Sequence, residues 1–465
     1  MPVLHPDRLL PQEGGLLRVA RAIYDRVAEL PVVSPHGHTD PAWFAENTLF
    51  PDPASTFVTP DHYILRMLRS VGENFDSLGV SRSDGGQTAS GRSVWKVFAS
   101  RYSTFAGTPS AGWMDHALGE IFGVKAELNE TTAETIYDQI SERLADDEFR
   151  PRALLDKFGV EIIATTDDAT SDLRHHRKAR ETGENRVIPT YRPDAVSNPL
   201  RQDFKSQVQK LGDLTGEDCS LWSGFIEAHR KRRAYFRSLG ATASDHGLAI
   251  PKTYDLPEAT AQKLLTKALA SALTDEETTV FQGMAMTEMA GLAVEDGMVT
   301  QIHAGVLRNT DRNFFQLYGA DHGSDIPCSV NWAQGLSPLL EKYGSSSLSL
   351  LVFTLDESTY ARELAPMAGY WPSLKLGPPW WFHDSPEGIR RYLHQVFETA
   401  GHRNLAGFND DTRAIFSIPG RHDTWRREVA GFLSRLVSDY RLSIGQAHDI
   451  ATWLCYDSAK EAYKL

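Results

Sequence analysis

The chain has 465 residues, of which 41% are hydrophobic and 23% are charged, and its formal net charge is -13 at pH 7. This balance is typical of a globular protein with a large core, either several ordinary domains or one barrel with insertions. The acidic charge argues against nucleic acid or an anionic membrane as a partner, because both would repel the protein.

Other features of the chain predict a cytoplasmic location. Cys219, Cys328 and Cys455 are odd in number and lack paired spacing, which argues against a disulfide framework and favours a reducing compartment. Residues 1–13 have no basic start followed by an apolar core, so we expect no signal peptide. No apolar run approaches the length of a membrane span.

The first predicted elements lead to a candidate metal site. Apolar residues recur at helical spacing over 16–30, and Val32–Ser34 has the pattern of a short buried strand. His36 and His38 follow at once, and side chains two residues apart in an extended chain face the same side. Such a pair can form half of a divalent-metal site, for which zinc is a suitable ion. The alternative is a pair of partly exposed loop histidines.

The following segment has mainly helical patterns. Asp61 is the predicted N-cap of a helix whose first turn carries His62 and Tyr63. A polar loop is predicted at 80–93, and further helical patterns occupy residues 95–105, 113–122 and 132–144. We therefore predict that the block 60–150 is a helical insertion after the first strand and not a separate catalytic domain.

The rest of the chain alternates strand-like runs with helical sequence. Together with Val32–Ser34 there are eight predicted strands, the others at residues 161–165, 187–191, 240–244, 299–304, 348–354, 374–377 and 404–408. Such alternation implies parallel strands with right-handed crossovers, and eight such units close most naturally into a (β/α)8 barrel. The predicted fold is thus α/β: one TIM-type barrel domain over 1–465, with C-terminal helices at about 422–442 and 444–463 packed outside it. A doubly wound open sheet is the alternative.

Polar residues follow nearly every predicted strand. They are His36 and His38, Asp167 and Asp168, Arg192 and Asp194, Asp245 and His246, His303 and Arg308, Asp356, Trp380 and Trp381, and Asp411 and Arg413. In a barrel these strand ends meet on one face, where the loops build the active site. Simpler roles remain open, because Asp167, Asp168 and Asp356 can cap helices and the two tryptophans can serve packing alone.

Asp411 and Arg413 are spaced like the histidine pair and follow the last predicted strand. Both side chains could therefore face the barrel axis. A carboxylate at this point would complete a His, His, Asp metal site with open positions for substrate or water. The alternative is a surface salt bridge between the two residues.

Together these motifs resemble the uronate isomerase (glucuronate isomerase) family, a branch of the amidohydrolase superfamily of barrels. In chain order the motifs are Ser34-Pro-His-Gly-His-Thr-Asp40, Asp61-His-Tyr63, Thr165-Thr-Asp-Asp168, Tyr191-Arg-Pro-Asp194, Ser244-Asp-His-Gly-Leu248, Gln301-Ile-His-Ala-Gly305 with Leu307-Arg-Asn309, Trp380-Trp-Phe382 and Asp411-Thr-Arg413. The resemblance implies a glucuronate-catabolism enzyme that interconverts D-glucuronate with D-fructuronate and D-galacturonate with D-tagaturonate. Two features depart from the family pattern: the loop at 81–91 is longer and more polar, and Asp410 competes with Asp411 for the carboxylate role.

The resemblance also implies a role for each candidate residue. One divalent metal, with Zn2+ as the expected ion, would be held by His36, His38 and Asp411. Proton transfer through a cis-enediol would use Asp411 and Tyr63, with Arg413 as a further catalytic residue. The expected substrate-binding residues are His62, Arg192, His303, Arg308 and Trp381. Arg192 would clamp the C6 carboxylate, because a planar guanidinium can bind it with two parallel hydrogen bonds.

Two other functions stay open from the sequence. One is a metal-dependent hydrolase of the same superfamily, which would normally use a carboxylated lysine or extra histidine ligands. Lys252, near the fourth predicted strand, lies beyond it after Pro251, and no other lysine sits at a predicted strand end, which argues against this function. The other is a sugar-acid binding barrel without catalysis. We further expect a homo-oligomer with a small-molecule uronate as substrate and no nucleic-acid or membrane partner.

Overall fold

A parallel β-sheet forms the centre of the molecule. The structure is a computed structural model that describes residues 4–86 and 88–465, so residues 1–3 of the N-terminal prediction and Gln87 of the predicted polar loop lie outside the described residues. The strands are β1 (Val32–Ser34), β2 (Val160–Asp168), β3 (Val187–Arg192), β4 (Ala243–Leu248), β5 (Val299–Ala304), β6 (Val306–Leu307), β7 (Ile326–Pro327), β8 (Leu350–Thr354) and β9 (Leu374–Leu376). In the described chain seven of them form one parallel sheet in the order β1-β2-β3-β4-β5-β8-β9, and β6 pairs with β7 as an antiparallel hairpin.

Helices separate the strands of the sheet, as the alternating pattern predicts. Before β2 the α-helices are Gly14–Val27, Pro41–Glu46, Pro53–Phe57, His62–Ser70, Gly91–Ser100, Pro109–His116, Ala133–Leu144 and Pro151–Lys157. From β2 to β5 they are Arg174–Glu181, Asp194–Ser197, Phe204–Thr215, Trp222–Ser238, Glu258–Leu269 and Asp275–Asp296. The remaining α-helices are Arg312–Tyr318, Trp332–Tyr343, Ala365–Ala368, Pro386–Ala400, Ile418–Ser438, Ile444–Thr452 and Ser458–Tyr463.

The predicted strand at 404–408 is not a full strand. Leu405 makes a single parallel bridge to Leu376 of β9, and the amide of Ala406 donates to the Leu376 carbonyl at 2.8 Å. Gly407 then takes a positive φ of 76°, which ends extended pairing. On the other side the amide of His38 donates to the carbonyl of Thr412 at 3.0 Å. The segment therefore still closes the ring between β9 and the end of β1, and the predicted barrel architecture is confirmed.

The fourth predicted strand is displaced along the chain. It was expected at 240–244, whereas β4 runs from Ala243 to Leu248. Gly240 has a φ of 90° and belongs to the turn after helix Trp222–Ser238, so it cannot start the strand. The shift brings Asp245 and His246 into the strand itself instead of leaving them after its end.

The helices between β1 and β2 share one apolar core with the barrel. Trp95, Phe98 and Phe122 belong to the same buried cluster as Val160 and Ile163 of β2. Burial of such large aromatic groups stabilises the junction by about 25 cal/mol for each Å2 of apolar surface removed from water. The insertion is thus packed onto the sheet that carries the candidate site.

The last helix does more than cover the outside of the barrel. The Tyr463 hydroxyl is buried and donates to Oε1 of Gln301 at 2.9 Å, and the Asn409 amide donates to Tyr463 at 3.1 Å. Gln301 lies two residues before His303 on β5, so the contact reaches the barrel interior. The packing of the C-terminal helices outside the barrel stays a prediction, to which this side-chain contact adds a link to β5. No helix in the described part of the chain is long and apolar enough to cross a membrane.

Candidate active site

Two histidines after β1 and a carboxylate after the last barrel segment meet at the carboxyl ends of the strands. Nε2 of His36 lies 3.4 Å from Oδ1 of Asp411, and Nε2 of His38 lies 3.2 Å from the same oxygen. Oδ1 of Asp411 is buried and has no hydrogen-bond partner. Three converging ligand atoms of the types that zinc prefers fit a divalent cation with further positions open to substrate.

The local backbone decides which carboxylate faces the histidines. Asp411 has a φ of 41°, a left-handed conformation that aspartate tolerates better than most residues. Asp410 instead pairs with Nε2 of His422 at 3.2 Å and is almost fully buried. Burial opposes ionisation of Asp411, but His36 and His38 outweigh it and hold the pKa of Asp411 well below its usual range. Asp411 is therefore the ionised carboxylate of the cluster.

A second polar cluster adjoins the first through His36. Nδ1 of His303 lies 2.6 Å from Oδ1 of Asp245, and the ring of His303 stacks on that of His36 with centroids 4.7 Å apart. Burial opposes ionisation of Asp245, but Arg192 and His303 hold its pKa well below the usual range. Since an ionised carboxylate only accepts, Nδ1 of His303 carries the proton and Nε2 keeps its lone pair. That Nε2 atom is buried without a partner.

Arg192 is already engaged by acidic neighbours. Its Nε donates to Asp194 at 2.8 Å, and its Nη1 lies 3.0 Å from Oδ2 of Asp245. His36, Asp245 and His303 also have the donor spacing of a metal site. The guanidinium beside Asp245 makes this second cluster a poor place for another cation, because the two positive charges would repel each other.

Helix His62–Ser70 brings two predicted residues to the site. Asp61 caps this helix and accepts from the amides of Tyr63 and Ile64, as predicted for an N-cap. The ring of His62 stacks on Tyr63 at 4.6 Å and lies 5.1 Å from Trp381. Burial, reinforced by the charge of Arg413, lowers the pKa of His62 to about 3, so the imidazole is neutral. Its Nε2 is buried and unpartnered.

The segment that contains β6, β7 and helix Arg312–Tyr318 covers one side of the site. Asp321 in this segment accepts a hydrogen bond from Arg413 at 2.8 Å and lies 3.8 Å from Nη1 of Arg308. Arg308 also pairs with Asp325 at 2.9 Å, and its guanidinium lies 4.8 Å from the ring of Trp381. Asp321 therefore lies between the predicted residues Arg308 and Arg413, and Arg308 in turn contacts the predicted Trp381.

Other polar residues at the strand ends have roles away from the histidine pair. Oδ2 of Asp167 accepts from the Thr165 hydroxyl at 2.7 Å, and Nε2 of His246 contacts the Ser244 hydroxyl at 3.0 Å. Asp356 accepts from the amide of Ser358 and so takes the local capping role that the sequence left open. Trp380 is buried and packs against His303 at 4.8 Å.

Sequence reasoning missed three charged residues beside the site. Asp321 lies in the covering segment, Asp384 follows the Trp380–Phe382 turn, and Arg421 lies on helix Ile418–Ser438. None of them directly follows a strand. The other residues were identified as polar residues directly after predicted strands, and that criterion does not identify these three. The capping Ser385 and Pro386 beside Asp384 indicate a helix start and no more.

Comparisons with known proteins agree with this geometry. The family model for glucuronate isomerase matches residues 15–463. The uronate isomerase of Phenylobacterium zucineum is 49% identical over 464 residues, covering 99% of this chain and 97% of the relative. The crystal structure of glucuronate isomerase from Caulobacter crescentus has a TM-score of 0.97 at 44% identity, with 99% of this chain and 96% of that chain covered. The uronate isomerase structure from Thermotoga maritima has a TM-score of 0.92 at 31% identity, with 99% of each chain covered.

Proposed function

This chain belongs to the glucuronate isomerase family and is a uronate isomerase, and on that premise we propose how its residues bind and convert the substrate. The proposed reactions interconvert D-glucuronate with D-fructuronate and D-galacturonate with D-tagaturonate. Each reaction moves one hydrogen from C2 to C1 and one hydroxyl proton from O2 to O1 of the open-chain sugar through a cis-enediol, with no net change in composition.

The proposed metal ligands are His36, His38 and Asp411. The observation that supports them is the approach of both Nε2 atoms to Oδ1 of Asp411, at 3.4 and 3.2 Å. A divalent ion held there, with Zn2+ as the expected ion, supplies Lewis-acid polarisation of the substrate oxygens. The low pKa of Asp411 supports the same role, because a carboxylate ligand must be ionised.

Asp411 and Tyr63 are the proposed proton carriers. Asp411 removes the C2 proton and returns a proton to C1, since it is the ionised carboxylate that lies beside both histidines. Tyr63 exchanges the hydroxyl proton between O2 and O1 while remaining a phenol overall. Burial, reinforced by the charge of Asp384, raises the pKa of Tyr63 well above its ordinary value, so it begins and ends the cycle protonated.

The remaining predicted residues form the proposed sugar pocket. Arg192, Arg308 and Arg413 place three guanidinium groups on this face, each already paired with an acid. Arg192 is the proposed clamp for the C6 carboxylate. The unpartnered Nε2 atoms of His62 and His303 are suited to sugar hydroxyls, and Trp381 offers an apolar surface to the sugar.

Metal content and activity test this assignment together. The His36→Ala, His38→Ala double variant should lose the bound metal and ketouronate formation while remaining folded by circular dichroism. His394→Ala, which removes an exposed histidine from helix Pro386–Ala400, is the matched control and should keep both. Full metal occupancy in the double variant would exclude these ligands.

We also propose that the enzyme works in the cytoplasm as a homo-oligomer. The cysteine pattern supports a reducing compartment. Light scattering coupled to size-exclusion chromatography tests the oligomer, and a mass of 51.8 kDa, that of one chain, would exclude it.

A further inference from the structure

The hydroxyl of Tyr63 has a buried acidic partner, Asp384. It lies 3.1 Å from Oδ1 and 3.0 Å from Oδ2 of Asp384. Tyr63 and Asp384 are 4% and 9% exposed, so the contact is shielded from solvent. Because a carboxylate only accepts, the phenol donates its proton to Asp384 and keeps its oxygen lone pairs for another donor.

Arg421 forms a buried ion pair with Asp384. Its Nη1 donates to Oδ2 of Asp384 at 2.7 Å and to the carbonyl of Asp410 at 3.3 Å. The guanidinium lies 3.6 Å from the ring centroid of Trp113 and is almost fully buried. A buried guanidinium with an ion pair, a backbone contact and an aromatic neighbour has little freedom to move. Arg421 therefore fixes the position of the carboxylate relative to Tyr63.

This arrangement constrains how Tyr63 can handle a substrate proton. A neutral phenol that accepts a proton must release its own proton at the same time, since an oxonium ion would be far too acidic. The phenol proton already points at Asp384, which offers both carboxylate oxygens within hydrogen-bond distance. Burial raises the pKa of Asp384 against the opposing charge of Arg421, which favours temporary protonation of this carboxylate.

We propose that Asp384, held by Arg421, is the positioning residue that takes the phenol proton of Tyr63 during isomerisation. As a substrate hydroxyl transfers its proton to the Tyr63 oxygen, the original Tyr63 O–H bond breaks and an O–H bond forms on Asp384. When Tyr63 delivers a proton to the neighbouring substrate oxygen, Asp384 returns its proton to Tyr63. Every proton is conserved and no electron is transferred to or from the substrate. This inference rests on the proposed role of Tyr63.

A double-variant cycle on the metal-loaded protein separates relay from simple structural support. Asp384→Asn should lower kcat about 100-fold while KM changes less than about threefold, because general acid–base contributions are of about that size. Tyr63→Phe should cause a loss of similar size. The Tyr63→Phe, Asp384→Asn double variant should have a kcat less than about threefold below that of Tyr63→Phe alone, because the relay is already broken.

Asp296→Asn is the control for loss of an acid that pairs with a buried arginine, here Arg233. Asp296 pairs with Arg233 through two hydrogen bonds at 2.6 and 2.9 Å, outside the site. The Asp296→Asn variant should keep kcat within about twofold of the wild-type value. If Asp384→Asn does not fold because Arg421 loses its counter-charge, the Asp384→Asn, Arg421→Gln variant removes both charges. That variant should show the same 100-fold loss of kcat.

A spectroscopic measurement gives a readout that does not depend on turnover. In protein labelled with 13C at tyrosine Cζ, the Tyr63 signal is identified by its absence in Tyr63→Phe. Asp384→Asn should shift that signal, whereas the signal of Tyr191, which contacts His229 at 2.6 Å, should stay. An unshifted Tyr63 signal would overturn the inference.

The outcomes distinguish the inference from the proposed function. Wild-type kcat in Tyr63→Phe would overturn the role of Tyr63 itself, and the relay with it. If Tyr63→Phe lowers kcat and the two single-variant losses in kcat multiply in the double variant, only the relay is overturned. An unchanged kcat in Asp384→Asn would also overturn only the relay.

Discussion

The guanidinium of Arg192 lies between two carboxylates, with Nε 2.8 Å from Asp194 and Nη1 3.0 Å from Asp245. Asp245 has no exposed surface, so this arginine neutralises a charge that water cannot reach. The residue that we propose as the substrate clamp is therefore also a structural partner. Its substitution should affect both the stability of the fold and the recognition of the acid.

Arg192→Met should lower the free energy of unfolding by about 3–5 kcal/mol, since it removes the guanidinium counter-charge from the buried carboxylate of Asp245. It should also lower kcat/KM for D-glucuronate by roughly two to three orders of magnitude. Arg192→Lys is the control, because it keeps the charge but not the planar fork, and should recover more stability than activity. Equal fractional losses for glucuronate and for residual turnover of glucose would remove Arg192 from carboxylate binding.

Gly407 should be essential for closure of the barrel. A Cβ at this position would lie 2.5 Å from Oγ of Ser458 and 2.8 Å from the amide nitrogen of Ala459, and φ is 76°. Gly407→Ala should therefore destabilise the protein by roughly 2–5 kcal/mol from strain and overpacking together. Gly216→Ala is the matched control, with a φ of 71° and open space around it, and should cost about 1–2 kcal/mol. Chemical denaturation measures both, and equal losses would contradict the packing argument.

Asp167 should make the stability of the fold depend on pH. Burial raises its pKa to about 7 from an ordinary value of 3.8. The folded protein then holds a proton that the unfolded chain releases, so the contribution of this group to stability falls as pH rises from about 4 to about 7. Each pKa unit is worth about 1.4 kcal/mol.

Asp167→Asn removes this titration and isolates its contribution. The free energy of unfolding of the variant minus that of the wild type should increase by about 1–2 kcal/mol between pH 5.5 and pH 8.5. Denaturant titrations at the two pH values measure this difference. A difference that is constant or decreases with pH would contradict a raised pKa at Asp167.

The sequence predicts the barrel because strand and helix patterns alternate and polar residues follow the strands. His36 and Asp411 are far apart in the chain, yet both are expected at strand ends, and the structure brings them to 3.4 Å. The last strand was overestimated, since pattern alone does not reveal that Gly407 must adopt a positive φ against the C-terminal helix. That constraint depends on tertiary packing.

Residues that act from outside the strand ends could not be found in this way. Asp384 follows two consecutive positive-φ residues, Trp381 and Phe382, whose conformation turns it towards Tyr63. Asp321 reaches Arg413 only because the segment around β6 and β7 folds over the barrel. Neither contact is expressed in a periodic pattern or in a short motif, so a three-dimensional structure was needed to identify them.

The most direct measurement of the central claim is 13C NMR of D-glucuronate incubated with the purified, metal-loaded protein in deuterated water. We expect signals of D-fructuronate, with deuterium at C1 when the base exchanges its proton with solvent, and no ketose with Asp411→Asn. Retained hydrogen at C1 is also consistent with a shielded base, so formation of the ketose is the deciding observation. A metal-loaded wild-type protein that forms no ketouronate from either D-glucuronate or D-galacturonate would contradict the account.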